Sequence, residues 1–167
     1  SKSFDDLLTA LENKNLKINT ARAGITLPLA SVNAYFLAPV KDYYEDLNNY
    51  SAVIKIVCGN KVFLFMGDAE KEAEDDMLAA GTDLKADVLK VGHHGSDSGT
   101  STAFLNLVQP QYAIISVGED NPYGHPHQET LNRLQECGSQ IMRTDLNGTI
   151  VIHTDGNKLD IVIEKGE

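Results

Sequence analysis

Apolar residues recur along the chain with two periods, and each period predicts its own element. Phe4, Leu7, Leu8 and Leu11 fall at i, i+3, i+4 and i+7, the spacing of one helix face. Residues 3–13 are therefore expected to form a surface helix with a buried stripe and Ser3 as its N-cap. Residues 16–38 alternate weakly, are punctuated by Gly24 and Pro28, and end in the apolar AYFLAP, which reads as two or three short strands. The stretch 41–49 (KDYYEDLNN) has no regular period and is expected to be a loop. Residues 52–57 and 62–66 are rich in β-branched and aromatic side chains, and Gly59-Asn60 between them predicts a tight hairpin. A helix is expected from about Glu70, with acids crowding its first turns and Gly81 ending it. Residues 86–91 read as a strand buried on both faces, 101–108 as a helix closed by Pro110, and 112–117 as another buried strand. Pro126 suits the first turn of a helix running through Gln135, with Gly138 at its end. Residues 140–144 lead into one hairpin turned by Asn147-Gly148 and a second turned by Asp155-Gly156.

Strand, helix, strand, helix, strand, flanked on both sides by hairpins, predicts a mixed sheet covered by helices. Loops leaving strand ends are where ligands collect in such sheets. Asp68, His93 and the segment after Val117 all hold that position. The chain's 167 residues and 42% hydrophobic composition suit one compact domain. A formal charge of -10, with fourteen scattered basic residues, argues against tight nonspecific binding to DNA or anionic membrane. No run approaches the ~18 apolar residues of a membrane span, and no signal-peptide pattern opens the sequence. Its start, Ser-Lys-Ser-Phe-Asp-Asp, reads as an excision point. Cys58 and Cys137 form no CxxC motif and are expected to be small buried apolar residues, a disulfide being the minority reading.

Asp68 follows a mostly apolar strand, where its carboxylate can cap the next helix or bind a metal. His93 and His94 are consecutive, so they point in different directions. Gly92 and Gly95 let the backbone turn sharply enough to present them. His93 follows the strand directly and is the expected ligand, leaving His94 for a supporting or substrate role. His125, in the loop Asn121-Pro122-Tyr123-Gly124-His125-Pro126-His127, is either a helix cap or a site residue, and His127 is expected to be exposed. Asn48, Asn49 and Ser51 either approach the same end of the sheet or satisfy a turn, the turn being preferred for Asn48. No His-x-His-x-Asp-His or His-Glu-x-x-His cluster precedes them, and the first histidine is His93.

In this order, NNYSAVIKI, FLFMGDAEKEAE, DVLKVGHHGS and SVGEDNPYGHP resemble the metallo-β-lactamase-like hydrolase domain of ComEC-type DNA-internalisation competence proteins. They are equally similar to that domain's free-standing secreted relatives. The resemblance runs from about Ser3 to the last hairpin. It implies an α/β fold, the αββα sandwich of mixed sheets flanked by helices, and two divalent metals, zinc or manganese, that activate a water. An N-terminal His-x-His-x-Asp-His loop supplies most ligands in that family, so residues 1–167 are expected to be a single partial domain lacking it. Asp68 matches the bridging carboxylate and His93 the late histidine ligand. Residues 49–51 fall where many members carry a further histidine ligand. His125 lies in the subgroup's Tyr-Gly-His-Pro signature. His94 or His125 is the expected proton donor to the leaving oxygen, and Asn49, Ser51, Ser96, Asn121 and Tyr123 are assigned to substrate binding.

The function expected is that of a metal-dependent phosphodiesterase or nuclease acting on single-stranded DNA during uptake, at the extracellular face of the cell, membrane-attached or secreted. One alternative is a secreted hydrolase of another phosphoester. The other is a non-catalytic fragment that binds little or no metal and self-associates through an exposed apolar face.

Overall fold

The computed structural model describes residues 2–164. The first helix, α1 (Lys2–Asn13), forms where the apolar period predicts it, but it starts before Ser3 and none of its residues is buried. Phe4, Leu7 and Leu8 stay exposed, because the chain leaves α1 through the irregular segment 14–25 and does not fold the stripe onto the core. The expected buried stripe is corrected accordingly. Residues 16–38 yield two strands, β1 (Thr26–Leu27) and β2 (Asn33–Ala38). The loop that follows ends in a 3-10 turn, Leu47–Tyr50. The central hairpin is as expected: β3 (Val53–Cys58) and β4 (Lys61–Phe65) pair antiparallel, with Cys58 opposite Lys61.

From β4 onward the chain climbs through crossovers: α2 (Lys71–Ala79), β5 (Val88–Lys90), α3 (Thr102–Val108), β6 (Tyr112–Ile115), α4 (Gln128–Glu136) and β7 (Gln140–Arg143). The seven strands form one sheet in sequence order, antiparallel from β1 to β4 and parallel from β4 to β7. Parallel neighbours leave three successive strand ends, those of β4, β5 and β6, at one edge of the sheet. The alternation of side chains decides what covers each face. Leu64, Met66, Leu89, Val91, Ala113 and Ile115 are buried with Ala73 and Met77 of α2, Phe104, Leu105 and Val108 of α3, and Leu134 of α4. Phe63, Phe65, Val88, Lys90 and Ile114 point the other way.

That second face meets a separate two-stranded sheet. Residues 144–147 form a short helix, α5 (Thr144–Asn147), so the chain does not turn back on β7 at Asn147-Gly148. It crosses instead to β8 (Thr149–Thr154), which pairs antiparallel with β9 (Leu159–Glu164) through the expected Asp155-Gly156 turn. Ile150 and Ile152 of β8 stand over Phe63, Phe65, Val88 and Ile114 across a cleft of about 290 Å³. The two hairpin tips hold each other: the Asn60 amide donates to the Gly156 carbonyl at 2.6 Å and its side chain to Asn157 Oδ1 at 3.0 Å. Gly59 has φ +57, and a Cβ there would stand 2.7 Å from the Gly156 oxygen.

Other boundaries shift for local reasons. The strand expected to reach Val117 ends at Ile115, after which the Thr144 hydroxyl takes up the Val117 amide and carbonyl, each at 2.8 Å. Pro126 precedes α4 rather than entering its first turn, and His127 occupies the N-cap position. Both cysteines are free and only partly buried, Cys137 Sγ lying 3.2 Å from the Leu134 carbonyl oxygen.

Candidate active site

The loops leaving β4, β5 and β6 are tied to one another before any side chain reaches out. The His93 amide donates to the Gly67 carbonyl at 3.0 Å, and the His127 amide to the Gly95 carbonyl at 3.0 Å. His93 and His94 both adopt left-handed backbone, φ +43 and +53, which side chains with a Cβ rarely occupy. Such strain persists only where surroundings enforce it. Gly92 and Gly95 make the close approach possible, since a Cβ would stand 2.8 Å from the Ala69 oxygen at the first and 2.6 Å from the Pro126 side chain at the second.

Each imidazole is oriented through Nδ1. His93 Nδ1 lies 2.9 Å from Glu70 Oε1, and His94 Nδ1 lies 2.7 Å from the Ser116 carbonyl oxygen. A carboxylate and a carbonyl only accept, so Nδ1 carries a proton in both rings. His94 Nε2 points at Asp68, 3.5 Å from Oδ1. Glu70 was visible in the sequence only as a helix-end acid, yet its Oε1 also accepts from Asn48 Nδ2 at 3.2 Å and Ser98 Oγ at 3.0 Å. The signal available was its place two residues after Asp68.

Several residues assigned to substrate binding are engaged by the backbone. Asn49 is buried, and its Oδ1 accepts from the Glu70 amide at 3.1 Å and the Ala73 amide at 3.2 Å, capping α2. Asp68 is therefore not the cap. Ser51 Oγ accepts from the Asp68 amide at 3.0 Å, and the buried Ser96 hydroxyl accepts from Ser98 Oγ at 2.9 Å. Asn121 closes its own loop, donating to the His125 carbonyl at 2.7 Å and accepting from the His125 amide at 2.9 Å. Tyr123 is exposed and stacks on His125, with ring centroids 5.8 Å apart. His127, expected to be exposed, is partly buried and accepts from the Asp97 amide at 3.1 Å.

His125 sits between His93 and His127, ring centroids 5.5 and 4.7 Å away. Burial, then the neighbouring imidazoles, hold its pKa below the ordinary histidine value, so its ring is neutral at pH 7. His94, Asn121, Tyr123 and His125 share a cleft of about 200 Å³. One edge of the sheet thus brings Asp68, His93, His94 and His125 together. Among the described residues, however, no group of three or more His, Cys, Asp or Glu side chains is arranged to hold a metal ion. The Asp68–His94 pair has the donor chemistry for two ligands, and a complete site needs three or four.

Residues 41–119 match the Metallo-beta-lactamase superfamily. The chain is 38% identical over 146 residues to ComE operon protein 3 of Bacillus subtilis, covering 87% of this chain and 19% of that protein. It is 38% identical over 120 residues to competence protein ComA of Neisseria gonorrhoeae, covering 71% of this chain and 17% of the relative. Over 114 residues it is 39% identical to recombination protein 2 of Haemophilus influenzae, covering 68% and 14% respectively. The chain therefore spans less than a fifth of the length of these relatives.

Proposed function

Because this chain belongs to the metallo-β-lactamase superfamily, whose members are generally hydrolases that bind divalent metals, we propose that it is part of a phosphodiester-cleaving domain. The substrate class in this reading is single-stranded DNA, cut during uptake at the outer face of the cell by a longer competence protein. The observation that carries the reading is the convergence of Asp68, His93, His94 and His125 at one sheet edge, with Nδ1 of both His93 and His94 held by a hydrogen bond and His94 Nε2 turned to Asp68. Asp68 and His93 are the proposed ligands from this chain, and His94 Nε2 stands ready beside Asp68. His125, neutral and lining the adjacent cleft, fits a hydrogen-bonding role toward substrate. In this reading the remaining ligands are supplied by the rest of a longer protein, so the 167-residue chain alone is expected to bind metal weakly and not to turn over.

A second reading, a secreted hydrolase of a small phosphoester, is favoured by the -10 charge and by the modest cleft of about 200 Å³ at His125. Turnover of bis-(p-nitrophenyl) phosphate by the full-length protein, with zinc or manganese supplied, tests the reaction class common to both. Hydrolysis with either ion is expected. No hydrolysis with either, in a protein that is folded, removes the phosphodiesterase reading.

A further inference from the structure

Lys90 is the last residue of β5, three positions before His93, and its side chain lies on the sheet face turned away from the helices. Its companions there are Phe63, Phe65, Val88, Ile114, Ile150 and Ile152, which form the walls of the cleft under β8. Among the described residues no carboxylate lies within salt-bridge distance of its Nζ, and the one hydrogen bond of its side chain runs from Nζ to the Val91 carbonyl at 2.9 Å. That bond turns the ammonium toward the end of the strand, where Asp68 and His94 stand. Burial pulls the Lys90 pKa below the ordinary lysine value, with Asp68 opposing the shift. A charged group half-buried in an apolar cleft with no carboxylate at salt-bridge distance is costly, whereas the buried Lys55 has Asp83.

Resting on the reaction proposed above, we propose that Lys90 is the phosphate-binding residue of this site, its ammonium taking a non-bridging oxygen of the substrate's phosphate. Ser116 lines the same cleft, and its carbonyl holds His94, so a phosphate at Lys90 lies next to the imidazole side of the site. Charge complementarity selects the ligand: against an overall charge of -10, which opposes anions, Lys90 offers a cation with no carboxylate at salt-bridge distance among the described residues. A phosphate meets that cation as a strong acceptor, and a single such charge-assisted bond is worth roughly tenfold or more in affinity.

The test is calorimetric or ³¹P NMR titration of the wild-type chain, Lys90→Met and Lys90→Arg with inorganic phosphate and, separately, thymidine 5′-monophosphate. Lys90→Met is expected to weaken both ligands by about tenfold or more, and by the same factor, with Lys90→Arg staying within a few-fold of wild type. Lys90→Met should also unfold no earlier than wild type on heating, since it removes a desolvated charge from an apolar cleft. Binding of neither ligand to the wild type, equal binding by Lys90→Met, or a loss confined to the nucleotide would each overturn the proposal. The hydrolase reading is scored separately, in the full-length protein. Cleavage by Lys90→Met at wild-type KM would overturn the role of Lys90 and leave that reading intact. Phosphate binding lost in Lys90→Met without any cleavage by the full-length wild type would keep Lys90 and remove the reading.

Discussion

Asn49 shows how a side chain placed near a site can be committed to the backbone. Its Oδ1 satisfies two amides at the start of α2, where no side chain at the N-cap position itself does so. Asn49→Ala is expected to cost about 1–2 kcal/mol in denaturant unfolding, and Asn49→Asp to retain most of the stability. A substitution that left stability untouched while weakening substrate binding would return Asn49 to the substrate. Asp68 is the reverse case. Its half-exposed carboxylate has only His94 at salt-bridge distance among the described residues, so Asp68→Ala should change stability by no more than about 0.5 kcal/mol while abolishing cleavage by the full-length protein. The residue types at the site were legible because apolar strands running into Gly-Asp and Gly-His-His-Gly are unusual. What each does was not. The pairing of His93 with Glu70 and of His94 with Asp68 depends on left-handed backbone at two consecutive histidines, and no local pattern specifies that.

At the scale of elements, the crossovers from β4 to β6 and the hairpin at Gly59-Asn60 were readable because each has a strong local signal: buried apolar runs, a glycine-containing turn, a helix with acids in its first turn. The departure of β8 from β7 was not readable, because Asn147-Gly148 serves a helix end as well as a hairpin. Two contacts then hold the assembly. Lys55 is almost fully buried in β3, its Nζ bonded to the Asp83 carbonyl at 2.8 Å and carboxylate at 2.9 Å. The hydrogen bond from Lys55 keeps the Asp83 carboxyl below its usual range. The stabilisation it brings is therefore present above the unfolded-state value of about 4 and is lost as pH falls through the lower folded value. Asp83→Asn should flatten that part of the acid unfolding curve and cost about 1 kcal/mol near pH 7, while Lys55→Met should be close to neutral. An unchanged acid slope in Asp83→Asn would show that the pair does not act this way. The second contact is the tip-to-tip hold of Gly59 on Gly156. Gly59→Ala meets both a positive φ and a backbone oxygen, so a loss of about 1–3 kcal/mol is expected, with faster amide exchange in β8 and β9 than in β4. Equal exchange in all three strands would contradict it.

The whole molecule carries a surplus of negative charge and an uncovered apolar stripe on α1. No helix among the described residues is long and apolar enough to cross a membrane. Phe4, Leu7 and Leu8 on α1, together with Phe65, Val162 and Ile163, are exposed. Exposed apolar surface favours association, and the charge of -10 opposes it until salt screens the repulsion. Sedimentation of the isolated chain should therefore show mass rising with concentration, more steeply at high salt, and a Leu7→Glu, Leu8→Glu variant should suppress the rise. A concentration-independent monomer would contradict this. The family was legible from four linked motifs, whereas the exposure of the α1 stripe was not, because periodicity reports a face and not what covers it. The claim that joins these scales is that the edge bearing Asp68 and the two histidines belongs to a phosphodiester-cleaving site. The measurement that tests it most directly is cleavage of single-stranded DNA by the full-length protein with manganese or zinc, set beside its Asp68→Ala variant. Cleavage in the wild type that falls by at least about a hundredfold in the folded variant is the predicted result, and equal cleavage by both, or none by the wild type, would contradict it.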